Sequence, residues 1–237
     1  MSESPWHICV LIPARNEEDL LPRCLRSVLR ACSALPANVT YDIVVVVDSS
    51  TDGTGEIAQS LLSGHGEALP TEVGIVGKAR AIAAAAALKR YAGPADRCWL
   101  ANTDADCCVP KTWLLDHLSF ATNDVEAVAG TVDVDDFAEH SSGVSERFRL
   151  SYPIHPDGTH PHVHGANLGV RADVYLRSGG WSGLATAEDH DLWNRLSRHC
   201  TKRLSVGRVK VFTSGRRLGR APHGFAEALA AHNEVAP

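Results

Sequence analysis

Two aspartates one residue apart, Asp104-Ala105-Asp106, stand directly after a short apolar run that reads as a strand. Carboxylates in that spacing can hold a hard divalent cation, whose remaining positions take water and phosphate oxygens. A cation so placed would neutralise a departing diphosphate. Three more clusters of acidic or polar residues occur at 13–17, 48–54 and 186–191. In open α/β sheets, ligands bind outside the carboxyl ends of the strands, so the clusters at 13–17, 48–54 and 102–106 converge on one crevice although they are far apart in the chain. Taken singly, each cluster also suits a turn or a helix cap. Thr186 followed three residues later by Asp189 has the spacing of a capping box, which would make Asp189 a structural group at a helix start.

The elements that must position these groups alternate in type. Ile8 to Ile12 is a short apolar run, and Leu25, Val28, Leu29 and Cys32 then recur at helical spacing, with Pro22 placed where a first turn tolerates it. Ile43 to Val47 is β-branched and uninterrupted, as expected of a strand covered on both faces. Asp48 to Thr54 has turn and capping chemistry, and Ile57, Leu61 and Leu62 continue as a helix. Val73 to Val76 predicts a third strand, Lys78 to Arg90 a helix of good formers, and Cys98 to Ala101 a fourth strand. Pro110 opens a helix through Trp113, Leu114 and Leu118. The alternation predicts an α/β sheet with crossover helices.

Beyond residue 126 the regularity weakens. The pattern gives a strand at Ala127 to Val132, an acidic link at Asp133 to Asp136, and a helix ending at Leu150. Ser151 to Gly165, with its prolines and histidines, is a candidate mobile lid. Asn167 to Val170 is expected to be a strand, Gly179-Gly180 to end a short helix, and Thr186 to start another with Leu192, Trp193 and Leu196 on one side.

With 44% hydrophobic and 22% charged residues, the 237-residue chain is not disordered, collagen-like or coiled-coil. Ala81 to Leu88 falls far short of the roughly 20 apolar residues that span a bilayer, and Met1 to Trp6 lacks a basic, apolar-core signal pattern; a cytoplasmic protein is expected. The cysteine count is seven, with no C-x-x-C pair, so reduced, mostly buried thiols are expected rather than disulfides or a zinc ribbon. The net charge of −5 conceals a basic tract: Lys202 to Arg220 contains seven bases and no acid. That tract either faces something anionic or is a solvated edge.

Ile12-Pro13-Ala14-Arg15-Asn16-Glu17-Glu18, Asp48 to Thr54, Gly77-Lys78-Ala79-Arg80, Thr103 to Asp106, Gly165-Ala166-Asn167 and Ala187-Glu188-Asp189 together resemble, in order and spacing, the family-two glycosyltransferases of the GT-A fold. The resemblance covers roughly residues 7–200. It implies a single GT-A domain over 1–237, an α/β fold with one Rossmann-like mixed sheet flanked by helices. Its nucleotide-binding half would span about 7–125, and its acceptor and catalytic half about 126–220. It also implies inverting transfer of a sugar from a nucleotide-diphosphate donor with a Mg or Mn ion.

Carried over by position, Pro13, Ala14, Arg15 and Glu17 would line the nucleoside pocket and Asp48 would bond the base. Arg80 and Lys78 would lie near the diphosphate, where a forked cation and a point charge both suit phosphate oxygens. The family often has Asn after that Ala-Arg, whereas this chain has Ala81. Asp104, with Ala105 beside it, would approach the ribose or metal, and Asp106 the metal directly. Gly165 and Asn167 would sit by the donor sugar or acceptor. Glu188-Asp189 matches the catalytic acidic pair, with Asp189 as general base and Glu188 in reserve.

His160, His162 and His164 alternate, with His155 upstream. They either form a separate transition-metal site or leave His164 alone to face the active-site metal or diphosphate. Arg216, Arg217 and Arg220 follow the catalytic segment where similar enzymes often carry basic residues that clamp a diphosphate or an anionic acceptor; the rival is attraction to an anionic lipid surface. Trp181 and Trp193 either stack a sugar or fill core. The expected acceptor is a small molecule, a glycan or a lipid-linked sugar, with peripheral membrane contact and no nucleic-acid partner. Two other functions fit the same residues: a non-catalytic nucleotide-binding member of the fold, and a sugar-phosphate nucleotidylyltransferase. The latter usually carries a Gly-rich N-terminal loop, which Pro13-Ala14-Arg15-Asn16 is not.

Overall fold

The computed structural model describes residues 5–220 and 224–233. Its centre is β1 (His7–Ala14), flanked by β2 (Thr40–Asp48) and β4 (Cys98–Asn102), all parallel. The sequence forces this placement, because an unbroken apolar run can be buried only when both faces of a strand are covered. Ile8, Val10 and Ile12 pack on one side with Leu25 and Val28 of α1 (Leu21–Cys32) and Leu114 of α4 (Trp113–Thr122). Cys9 and Leu11 pack on the other side with Ala83 and Ala87 of α3 (Val76–Arg90) and Leu192 of α7 (Glu188–Leu196). Beside α1 lies α2 (Thr54–Leu61).

The seven strands run in the order β3-β2-β1-β4-β6-β5-β7, where β3 is Gly66–Thr71, β5 Ala127–Val134, β6 Leu168–Arg171 and β7 Arg203–Thr213. Only β6 is antiparallel to its neighbours, β4 and β5. Its beginning therefore lies beside the carboxyl ends of the other strands, which brings the 3-10 turn Gly165–Asn167 to the same edge as Asp48 and Asp104. Three helices complete the fold: α5 (Val144–Ser151), α6 (Ala172–Arg177) and α8 (Phe225–Ala231). The expected single mixed sheet flanked by helices is what the chain forms. No helix of the described residues is long and apolar enough to cross a membrane, and all seven cysteines are free thiols.

Four elements differ from the sequence pattern. The third strand is Gly66–Thr71, not Val73 to Val76, because the Val73 and Gly74 N–H groups donate to the Asp48 carboxylate rather than to a neighbouring strand. As an edge strand carrying Pro70 it lacks a continuous apolar run. The acidic link begins later than expected, since β5 continues to Val134 along β7. The tract from 202 is largely β7, with Val209 and Val211 buried in the core. Its bases are dispersed: Arg203 lies over Trp193, Arg208 over Phe120, and Lys210 pairs with Asp133 at 3.1 Å. Finally, α7 starts at Glu188 with Ala187 before it at φ 56°, and no side chain caps it, so Thr186 and Asp189 form no capping box.

The loop at 151–164 is tied down rather than suspended. Gly207 N–H donates to Gly158 O at 2.8 Å, and His160 Nε2 lies 3.1 Å from Ala129 O.

One buried group in the frame of β6 should make stability pH-dependent. His117 on α4 is fully buried, accepts from Trp99 Nε1 at 3.2 Å, and lies edge-on to Trp113. Burial pushes its pKa down to about 3. Folding therefore favours the neutral ring, so the stabilisation is present above the ordinary value near 6.5 and is lost as pH falls toward 3. Between pH 7 and 4.5, urea unfolding of the wild type should lose about 2 to 3 kcal/mol more than that of His117→Phe. Parallel pH profiles for the two proteins would refute this.

Candidate active site

The loops after β1 and β2 are laced together by side chains. Asn16 sits at φ 52° and Ser49 at φ 50°, a left-handed conformation unusual outside glycine that concentrates at functional sites. Asn16 N–H donates to Ser50 Oγ at 3.0 Å, Thr51 N–H to Asn16 Oδ1 at 2.8 Å, and Glu17 N–H to Thr54 Oγ1 at 2.8 Å. These bonds fix the Pro13-to-Glu17 backbone against the end of β2. Asp48, buried at the last residue of β2, accepts on Oδ1 from Val73 N–H, Gly74 N–H, Thr71 Oγ1 and Ser49 Oγ. None of these donors uses Oδ2, which is left to the cavity that Asp48 lines.

That cavity measures about 640 Å³ and lies along the carboxyl edge of the sheet. Its walls bring together Pro13, Ala14, Arg15 and Glu17 after β1, Asp48 after β2, Arg80 of α3, and Asp104, Ala105 and Asp106 after β4. Across from them stand His164, Gly165, Glu188 and Asp189.

Arg80 joins the two halves. Its guanidinium is 3% exposed, with Nη2 2.6 Å from Asp104 Oδ1 and Nε 3.1 Å from Glu188 Oε1. Although burial opposes its charge, Asp104 and Glu188 hold its pKa above the ordinary value. Nη1 has no hydrogen-bond partner, and Trp181 lies beneath at 5.3 Å. Gly77 lets this helix start close in: a Cβ there would meet the backbone oxygen of Ser182 at 2.2 Å.

The two acids at the start of α7 have different fates. Glu188 is buried against Arg80, and burial raises its pKa. Asp189 is half-buried, accepts the Gly165 N–H on Oδ2 at 2.9 Å, and lines the cavity. Gly165 serves both partners. A Cβ there would fall 2.5 Å from Arg80 Nη2, and that guanidinium cannot step aside without leaving a carboxylate. Gly165→Ala should cost roughly 1–3 kcal/mol of stability through overpacking; a melting curve indistinguishable from wild type would contradict it.

Opposite Arg80, Arg216 forks onto Glu17 at 2.7 and 2.9 Å and reaches Asp106 Oδ2 at 2.8 Å. Arg220 donates to Asn16 O at 2.7 Å. Asp106 is driven up to about 6 by burial, with Asp104 and Glu17 adding to the rise and Arg216 opposing it.

Asp104 and Asp106 also fit a hard dication. With Cys107 they are the one group of at least three such ligands among the described residues whose donor atoms lie within 4.8 Å of one another. The Cys107 thiol is buried and pushed well above its ordinary pKa by that burial, so the hard donors are the two carboxylates. Six carboxylates line the cavity against four guanidiniums, leaving a surplus of negative charge that a dication would offset.

Three residues singled out from the sequence lie outside the cavity lining. Asn167 is fully buried and ties β5 to β7, donating to Thr131 O and Val209 O while accepting from Trp113 Nε1. Lys78 is exposed and lies along Gly183. Arg217 is exposed, its N–H donating to Glu139, while its neighbour Arg216 turns inward. Arg216 is held by Glu17 and Asp106 and Arg217 by Glu139, so a one-residue difference separates site from solvent. Trp181 and Trp193 are buried in the core.

The histidines do not converge on a metal. His162 Nε2 faces Pro153 O, and His164 Nε2 lies 2.8 Å from the Tyr152 hydroxyl. Burial beside His162 and His160 holds His164 down at about 3, a neutral ring in the cavity wall. The wall contributed by α8, with Phe225 edge-on to His164 at 5.9 Å, has no counterpart in the sequence reading. Only the apolar spacing in Phe225-Ala226-Glu227-Ala228-Leu229 hinted at that helix.

Solved structures share this architecture. The chain is similar to S. aureus TarS 1–349 in complex with UDP-GlcNAc, at 16% identity and a TM-score of 0.67, covering 92% of this chain and 61% of that one. It is also similar to the mannosyltransferase PcManGT from Pyrobaculum calidifontis in complex with GDP-Man and Mn2+, at 18% identity and a TM-score of 0.64, covering 98% of this chain and 70% of that one. The chain thus spans about three-fifths of the TarS 1–349 structures it matches. No curated protein matches it. A family model described as Glycosyl transferase family 2 matches residues 9–213, from within β1 to the last residue of β7, and the chain belongs to that family.

Proposed function

We propose that the chain transfers a hexosyl group from a nucleoside-diphosphate donor to an acceptor hydroxyl with inversion, Asp189 serving as general base. The observation that carries this reading is the division between the first two acids of α7: Glu188 is bound by Arg80, whereas Asp189 is half-buried in the cavity wall. A base must be ionised, aimed and accessible to the acceptor oxygen. The Gly165 N–H, 2.9 Å from Oδ2, fixes the direction of the Asp189 carboxylate at the start of α7.

Asp48 Oδ2 would accept from the donor's base, and the Pro13-Ala14-Arg15 backbone would form a rigid wall beside it. The Arg80 guanidinium in the cavity wall would lend positive charge to a diphosphate, a forked cation suiting that anion. A Mn or Mg ion held by Asp104 and Asp106 would supply positive charge to the leaving diphosphate. The acceptor hydroxyl would enter beside Asp189, lose its proton to that carboxylate, and attack the anomeric carbon from the face opposite the diphosphate. No covalent sugar–enzyme intermediate is needed. The bound UDP-GlcNAc and GDP-Man of the two similar structures make UDP and GDP the first nucleotides to test.

Calorimetric titration with UDP, GDP, ADP and dTDP, each with Mn2+, Mg2+ or chelator, tests the reading. One nucleotide should bind in a metal-dependent manner, and Asp106→Ala should weaken that binding by about tenfold or more. Absence of binding by all four with metal would favour a non-catalytic role.

A further inference from the structure

We propose that Arg216 makes metal binding depend on the donor: without a nucleoside diphosphate its guanidinium occupies the Asp106 carboxylate, and the arriving diphosphate draws it away. This inference rests on the reading that Asp104 and Asp106 hold a divalent cation beside a diphosphate donor.

The two aspartates are guarded unequally. Arg80, on Asp104, projects from the second turn of a 15-residue helix, is 3% exposed, and is locked by Glu188 and by Trp181 beneath it. Arg216, on Asp106, comes from the irregular segment that follows β7 and precedes α8. Its Nη2 stands 2.8 Å from Asp106 Oδ2, while Oδ1 of the same carboxylate faces the Cys107 thiol and the Thr213 hydroxyl. A dication at Oδ2 would meet the guanidinium that sits within hydrogen-bond distance of the same oxygen, and the like charges would repel across a poorly solvated gap.

The structure also shows how Arg216 could leave without stranding a buried charge. Glu17 is 5% exposed and would be costly to abandon unpaired. Arg220 Nε already stands 3.8 Å from Glu17 Oε1 and can take over that contact. Arg216 would then exchange two carboxylates for diphosphate oxygens, which its planar fork fits equally well. The empty site would thus refuse free cations, and metal and donor would each strengthen the other's binding, since such coupling is reciprocal.

The test is Mn2+ titration of the full chain, followed by electron paramagnetic resonance of free Mn2+, first alone and then with saturating UDP or GDP. Wild type should bind Mn2+ weakly alone and much more tightly with the nucleotide. Arg216→Gln should bind Mn2+ alone about tenfold more tightly than wild type, and the gain from nucleotide should shrink. Arg217→Gln removes the neighbouring exposed guanidinium, which lies outside the cavity lining and has no bond to Asp106, so its Mn2+ affinity should stay within about twofold of wild type and separates displacement from charge alone. Glu17→Gln leaves Asp106 as the carboxylate partner of Arg216 and should weaken Mn2+ binding without nucleotide, which keeps the idea testable should Arg216→Gln fail to fold.

Equal or weaker Mn2+ binding by folded Arg216→Gln, or an equal gain in Arg217→Gln, would overturn the proposal. So would tight Mn2+ binding by wild type without nucleotide, although the donor reading would then survive. If wild type binds Mn2+ in neither condition, the metal reading fails and this inference with it.

Discussion

Asp189→Asn is expected to lower kcat by about 10²- to 10⁴-fold while leaving donor affinity within about threefold, the range over which a positioned general base contributes. The substitution is nearly isosteric, and its carbonyl oxygen can still accept the Gly165 N–H that Asp189 holds at 2.9 Å. The wall of the cavity therefore stays in place and only the proton acceptor is lost. Glu188→Gln should behave differently. Glu188 is buried and hydrogen-bonded to Arg80, so neutralising it removes part of the counter-charge of a guanidinium that is 3% exposed. Its cost should fall mainly on stability and on donor binding. Single-turnover rates with saturating donor, set beside melting temperatures, separate the two. If Glu188→Gln carries the selective loss in kcat and Asp189→Asn does not, the base is Glu188.

The second large effect concerns Arg80. Arg80→Met should destabilise the protein by about 3–5 kcal/mol, since it leaves Asp104 and Glu188 without their shared cation. For a chain of this size that corresponds to a fall in Tm of roughly 10 °C. Arg80→Lys should recover only part of the loss, because an ammonium cannot address Asp104 and Glu188 from a planar fork while lying flat over Trp181. The Arg80–Glu188 contact is buried, so salt should change its part of the outcome little, unlike a surface ion pair. Donor binding should fall in both variants. A Tm within about 2 °C of wild type for Arg80→Met would mean that the bridge between α3, β4 and α7 contributes little to stability.

Much of this architecture was legible in the chain itself. Ile8 to Ile12 and Ile43 to Val47 are too continuously apolar to be anything but central strands, and the polar turns that follow them mark the carboxyl edge where a ligand sits. The weaker signals belonged to edges. Gly66–Thr71 carries a proline and little apolar character, and Arg203–Thr213 hides alternating valines among bases; pairing with β2 and β5 makes each a strand. Tertiary context likewise displaced the capping box, because Ala187 takes a left-handed turn and Asp189 reaches to Gly165 instead of capping its own helix.

By itself the sequence determined the strand–helix alternation, the placement of Asp48, Asp104 and Asp106 at strand ends, and the family. Each of these follows from local periodicity or from short motifs whose meaning survives without knowledge of distant partners. The tertiary structure decided which neighbour in a motif faces the cavity. It chose Arg216 over Arg217, turned Asn167 into a clasp between β5 and β7, and buried Glu188 while leaving Asp189 accessible. Those outcomes depend on contacts between segments far apart in the chain, such as Arg216 with Glu17, Asn167 with Thr131 and Val209, and Glu188 with Arg80.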